Sequence, residues 1–414
     1  MENLIILSVF FLSSVFLVDA HYKWNFRQQK VIDFLKKLDR MGQARKLVND
    51  FNYKMLNHIL KTSNGNVVFS PYSISSAMAM VHEGSKTNTR KEIETTFGWG
   101  GIEENKFHEL VQELVEGFES NNSDVSLANR VWIDQENDVM ESYKENLKAF
   151  YKAVLGTEDF QKNSENARQN INNWVAQQTE NNIKDLFPDG SIDSTTKLVL
   201  ANAIFFKGKW KIPFEKEHTR KSEFKLEDGK NIEVDMMWKS DKFDYLAETE
   251  FQVVKIPYAG GKYSMLVAIP LKMTANKLAQ STTPDVIQNW LKRLKPGRYP
   301  EDVDVYLPTF KIQHAVDLKK GLQQLGITDL FTSGKADLSG INGKRELYCS
   351  GAYHKAFIEV DEEGTVAGGA TGFGTTLKSM PPQIRADRPF VFYIVDHNTD
   401  AILFAGKVAD PTSS

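Results

Sequence analysis

The chain has 414 residues, more than the ~100–200 of one ordinary domain, and its 41% hydrophobic and 25% charged residues match a globular protein. A chain this long needs no covalent staples, and its single cysteine, Cys349, excludes an intrachain disulfide. The formal net charge of −3 supplies no basic field, so nucleic-acid binding through overall charge is not expected.

Residues 1–20 read as an export signal. Leu4 to Val18 is almost wholly apolar, and Val18-Asp19-Ala20 offers small or apolar residues where a signal peptidase reads, although the start carries Glu2 and neither Lys nor Arg. The run is too short to span a bilayer comfortably, and no other stretch is longer, so no membrane contact is expected. The mature chain is expected to begin near His21 and to be secreted and extracellular, where an unpaired cysteine points to a buried thiol or an intermolecular bridge. Residues 21–46 hold eight Lys or Arg against two Asp, and Val31, Phe34, Leu35, Leu38 and Met41 fall at helical spacing. This basic N-terminal extension, 21–45, is either an amphipathic segment packed on the body or a dock for a sulfated polysaccharide or other anionic surface.

Leu47, Phe51, Met55 and Ile59 predict a helix over 46–61 with one buried stripe. Ser70-Pro71-Tyr72-Ser73 opens a second helix, with Ser73 read as its N-cap before Ile74, Ala77, Met78 and Val81. Asn121-Asn122-Ser123 makes Asn121 a glycosylation candidate. A third helix runs through Ile171, Trp174, Val175 and Ile183. From residue 197 the period changes: Leu198–Phe206, Gln252–Ile256, Tyr263–Pro270, Val303–Ile312 and Lys355–Val360 read as strands. A helix around Val316–Leu325 stops at Gly326, and two last strands, Phe390–Val395 and Ala401–Ala405, flank a polar turn. Helices first and strands after predict an α+β fold, and the lack of a Pro/Gly/Ser linker predicts one large domain, expected to be monomeric.

Residues 361–385, DEEGTVAGGATGFGTTLKSMPPQIR, stand apart. Between Gly364 and Gly374 lie five glycines, two alanines and no charge, too little apolar surface to hold a fold of its own. A long exposed loop inside a compact domain is usually functional. A phosphate-cradling loop fails because Thr375 stands where the phosphate-binding lysine belongs and Pro381 ends any following helix. A hydrolase fails because there is no G-x-S-x-G elbow, and His82-Glu83 lacks a second histidine at position 86. No enzyme activity and no cofactor or metal is expected. The remaining reading is protease bait: an extended segment fits a protease cleft, and Lys378 is the basic side chain a trypsin-like pocket would neutralise.

At this point the sequence resembles the serpin family over residues 46 to 411. The resemblance is carried by NVVFSPYSISSAMAMVHEG (66–84), LANAIFFKGKWKIPF (200–214), LGITDLF (325–331), ADLSGI (336–341), HKAFIEVDEEGT (354–365) and RPFVFYIVDHNTDAILFAGKV (388–408). It implies a fold of about three β-sheets and eight or nine helices, with a reactive-centre loop at 362–385. It also implies a suicide inhibitor whose scissile bond, Lys378–Ser379, lies sixteen residues after the hinge glutamate Glu362. The protease would be acylated and held covalently as the cut loop inserts into the main sheet. The implied hinge is Glu362, Glu363, Gly364, Thr365, Val366, Ala367, Gly368, Gly369 and Ala370. Within it Thr365, Ala367, Gly369 and Thr371 would share the buried face of an inserted strand, and all are small and uncharged. Val366, Gly368, Gly372 and Gly374 depart from the family's habit, and glycine weakens a strand. By resemblance Ser70, Ser73, Asn202 and His354 form the polar "shutter" cluster beneath the opening strands, and Trp210 lies at the "breach" where the loop tip enters. On their own terms His354 is an ordinary satisfied core histidine and Trp210 plain core.

Many relatives bind heparin-like polysaccharide through a basic helix before the strand at Val125–Trp132; here Glu103–Ser120 holds one Lys against six Glu, so that route is expected to be absent. The partner implied is a trypsin-like serine protease. The rival expectation is a non-inhibitory relative acting as carrier, storage protein or chaperone, which a bulky, charged or proline-rich hinge would favour. Cleavage after Phe373 or Leu377 by a chymotrypsin-like enzyme is the remaining variant.

Overall fold

The structure, a computed structural model, describes residues 36, 39–119, 125–294, 302–363 and 381–413. The export signal, almost all of the basic extension, Asn121, and the loop from Gly364 through Lys378 and Ser379 to Met380 lie outside the described residues. The chain divides into two units. In the first, Met1–Gln43, the described residues 39–43 are helical. The second, Ala44–Ser414, carries everything that follows.

Its first half is mostly helical: α1 (44–62), the short strand β1 (Val67–Phe69), α2 (Pro71–Gly84), α3 (Thr87–Phe97), α4 (Glu104–Glu119), β2 (Val125–Asp134), α5 (Glu141–Tyr151), β3 (Gly156–Glu158) and α6 (Phe160–Gln178). Then come β4 (Leu198–Phe206), β5 (Arg220–Lys225), β6 (Asn231–Asp241), β7 (Asp244–Ala247), β8 (Phe251–Pro257), β9 (Tyr263–Pro270), α7 (Ala275–Ser281) and α8 (Pro284–Arg293). The chain closes with β10 (Val303–Pro308), β11 (Phe310–Asp317), α9 (Leu318–Gln324), α10 (Ser339–Asn342), β12 (Cys349–Val360), β13 (Gln383–Arg385), β14 (Phe390–Asp396) and β15 (Ile402–Val408). The expected α+β fold with three sheets is what the chain forms. The described helices number ten rather than eight or nine, because one-turn pieces such as α10 are too short to show a period in sequence.

Several boundaries moved for local reasons. The cap of α2 is Ser70, not Ser73: Pro71 takes the first helical position, and the Ser73 amide donates to Ser70 Oγ at 3.1 Å. The Val303–Ile312 run is two strands, β10 and β11, broken at Thr309, whose amide donates to Asp235 O at 2.9 Å after Pro308. The third helix, α6, starts at Phe160, capped by Asp159, and ends at Gln178 short of Ile183. Gly326 does follow the last helical turn of α9 with a left-handed φ of 110°, the conformation glycine takes without strain.

One sheet has six strands in the order β1-β15-β14-β9-β8-β7, and a second has four, β13-β10-β6-β5. The third, with five, runs β11-β12-β4-β2-β3 and positions the candidate site. Its strand β4 is buried at every position. Leu198, Leu200, Ile204 and Phe206 face the main core, while Val199, Ala201, Ala203 and Phe205 meet Phe160, Ala167, Ile171 and Val175 of α6 on the other side. A strand covered on both faces reads as an unbroken apolar run, as LVLANAIFF does, apart from one asparagine.

Candidate functional site

The centre of the five-stranded sheet is a parallel seam. β12 and β4 pair in parallel from Cys349↔Leu198 to Ile358↔Phe206, although each is antiparallel to its other neighbour, β11 and β2 respectively. Parallel pairing is slightly weaker per residue than antiparallel pairing. A strand placed between them and running the opposite way would pair antiparallel with both. The chain leaves β12 at Val360, at the same end where β4 finishes, so the segment that follows is rooted directly over this seam.

That root is anchored at each residue. Trp210 is buried, stacks on Tyr258 with ring centres 4.4 Å apart, and donates its Nε1–H to the Asp361 carbonyl at 2.9 Å. The Phe214 amide donates to the Glu362 carbonyl at 2.8 Å, and Thr219 Oγ1 donates to Glu362 Oε1 at 2.6 Å. Lys216 Nζ pairs with Glu363 Oε1 at 2.7 Å on the exposed side. Burial, together with the neighbouring Glu359, Glu362 and Glu363, pushes the Asp361 carboxyl above its ordinary range.

Midway down the seam lies a polar clasp. His354 and Asn202 are register partners across the seam, and Asn129 of β2 pairs with Asn202 on its far side, so three strands contribute one lateral row. The N-terminus of α2 stands on that row. The Ser70 amide donates to His354 Nε2 at 3.1 Å, which requires a neutral ring whose Nδ1–H donates to Asn202 Oδ1. Asn202 Nδ2 in turn donates to Ser73 O and Ser73 Oγ, both at 2.8 Å, and to Asn129 Oδ1 at 2.6 Å. Ser70, Ser73, Asn202 and His354 are fully buried. Burial first, and His314 nearby, push the His354 imidazole down to about 3, so at neutral pH it stays uncharged and the clasp intact.

The four residues expected to cluster therefore do meet, and Trp210 touches the residue that precedes the expected hinge. Of the hinge residues, Glu362 and Glu363 are placed as above; Gly364, Thr365, Val366, Ala367, Gly368, Gly369 and Ala370 lie outside the described residues. Sequence reasoning missed Asn129, Phe214, Lys216 and Thr219. A signal for the first was present: Leu-Ala-Asn occurs at both 127–129 and 200–202, and the two asparagines are the residues that pair. Cys349, expected as a buried thiol, is buried, and desolvation pushes its pKa up to about 12. No group of three or more His, Cys, Asp or Glu able to hold a metal occurs among the described residues, and none of their helices is long and apolar enough to cross a membrane.

The family model described as Serpin (serine protease inhibitor) matches residues 46–411. Among similar curated proteins, a "Serine protease inhibitor" of Cyanea capillata is 39% identical over 360 residues, which cover 86% of this chain and 95% of that one. The "Leukocyte elastase inhibitor" of Homo sapiens is 38% identical, covering 84% of this chain and 93% of its own. Among solved structures, uncleaved ovalbumin superposes with a TM-score of 0.78 at 28% identity, over 89% of this chain and all of that one. Mouse protein-Z dependent protease inhibitor gives 0.80 at 29%, over 91% and 99%.

Proposed function

The chain belongs to the serpin family, and from that premise we propose that it is a secreted suicide-substrate inhibitor of trypsin-like serine proteases, cleaved between Lys378 and Ser379 and not itself an enzyme. The observation that carries the proposal is the parallel β12–β4 seam with the loop root anchored above it. Once the protease has acylated at Lys378, the freed segment turns back at Glu362 and adds a strand antiparallel to both walls, a strand insertion for which this family is the standing example. Thr365 to Lys378 is fourteen residues, so at ~3.3 Å per residue the acylated protease is carried roughly 45 Å. Such a displacement pulls the catalytic serine away from its oxyanion donors, each of which is worth roughly 10²–10³ in rate.

The hinge composition supports insertion over a carrier, storage or chaperone role. Thr365, Ala367, Gly369 and Thr371 put no charge and no bulk on the face that must enter the core, where an unpaired charge costs several kcal/mol. Lys378 supports a trypsin-like target, since an elastase pocket takes small side chains. The elastase named for the human relative belongs to that protein. Secretion rests on the apolar run Leu4–Val18.

The test is incubation of the purified mature protein with trypsin and, separately, with elastase. A trypsin complex that survives boiling in detergent, with a released fragment beginning at Ser379, is expected. Clean turnover without a complex sinks the inhibitor reading. A stable complex with elastase alone, or cleavage after Phe373 or Leu377, sinks only the assignment of specificity.

A further inference from the structure

A cavity of about 550 Å³ lies beside β2, within the ~300–1,000 Å³ of small-molecule sites. β3 pairs with β2 only at Trp132–Asp134, so among the described residues Val125–Val131 has no strand on that side, and the cavity opens along this uncovered edge. Its wall is chemically one-sided. Two cations, Arg130 and Lys152, line it and no Asp or Glu does, while Met80, Val115, Leu127 and Val154 supply apolar surface. Val154 is 66% exposed, the highest exposure of any large hydrophobic among the described residues, and it stands in this wall.

Arg130 is the informative residue. Its guanidinium carbon lies 4.2 Å from the centre of the Trp174 ring and 5.1 Å from that of Trp132, so two aromatic faces hold it in place. It forms no ion pair among the described residues. Partial burial pushes its pKa down with no carboxylate acting against that burial. A planar guanidinium held by stacking keeps its in-plane donors free for a carboxylate, which it binds bidentately.

We propose that this cavity is a binding site for a small amphipathic anion, with Arg130 receiving the carboxylate and the Met80, Val115, Leu127 and Val154 surface receiving an apolar tail. The site reaches the clasp, because Asn129 also lines the cavity and accepts from Asn202. A ligand there is therefore coupled to the closed state of the seam, and the coupling is reciprocal. Binding itself does not depend on the inhibitor reading.

The experiment is calorimetric titration of the intact protein with decanoate, below its micelle-forming range, against decyltrimethylammonium, which has the same tail and the opposite charge. One saturable decanoate site is expected, weakened about tenfold or more by Arg130→Gln, as loss of a charge-assisted contact implies. Val154→Glu, on an exposed side chain that folding does not need, should also weaken it by placing like charge at the mouth. The melting temperature of each variant reports that it is folded. The proposal is overturned by the absence of saturable binding, by equal affinity for the ammonium probe, or by unchanged affinity in both variants.

Discussion

Acidification should unfasten the clasp through His354. Folded, this imidazole titrates at about 3; in the unfolded chain it returns to about 6.5. Above about pH 6.5 both states hold it neutral and stability is unaffected. As the pH falls below that value the unfolded chain takes up the proton and the folded one does not, so stability is lost steadily down to about pH 3. Between about pH 7.5 and pH 5 this one group removes about 2 kcal/mol, roughly 30-fold in the unfolding equilibrium. His82, His314 and His397 are also held below the usual histidine range by burial and add losses of the same sign. The His354 share must therefore be isolated by substitution. Urea midpoints of the wild type and His354→Gln, measured across this range, should converge on acidification, with the wild type losing about 2 kcal/mol more. Parallel pH profiles for the two proteins would refute the assignment of a neutral, clasped His354.

Three further outcomes follow from the site. Thr365→Arg would force a charge into the core on insertion, at several kcal/mol, so the stoichiometry of inhibition should rise steeply and the protein should be cleaved as a substrate; unchanged inhibition means the hinge does not enter the sheet. Thr219→Val removes a hydrogen bond to a carboxylate and should cost roughly 1.5–3 kcal/mol, whereas Lys216→Ala breaks an exposed pair worth about 1 kcal/mol or less; denaturant titration should rank them in that order. Asn129→Ala leaves Ser73 Oγ and one Asn202 proton without their acceptor and should cost about 1–3 kcal/mol by the same measurement.

Much of the fold was legible because its longest elements are strongly patterned. Tyr263–Pro270 was bounded to the residue and Leu198–Phe206 likewise, since each is an apolar run closed by turn residues. The polar strands β5 and β6 were not read at all: RKSEFK and NIEVDMMWKSD are mostly exposed, and their alternation is hidden by the charges. The helices α3, α5, α7 and α8 were missed for a related reason, as each buries only two to four residues. At the site, Ser70, Ser73, Asn202 and His354 came from resemblance to a family. Spacing could not have joined them, because partners separated by up to 284 positions meet only through sheet register. Trp210, Phe214 and Thr219 hold the loop root through one side-chain N–H, one backbone N–H and one hydroxyl, groups that carry no periodic signal.

The account stands or falls on whether the seam accepts the severed segment. Nicking the protein near Lys378 with a protease that it does not retain, then comparing thermal unfolding of nicked and intact chains, tests this directly. A rise in melting temperature of roughly 10 °C or more is expected, as several kcal/mol of new strand pairing would produce. A nicked protein that melts with the intact one, or below it, would contradict insertion.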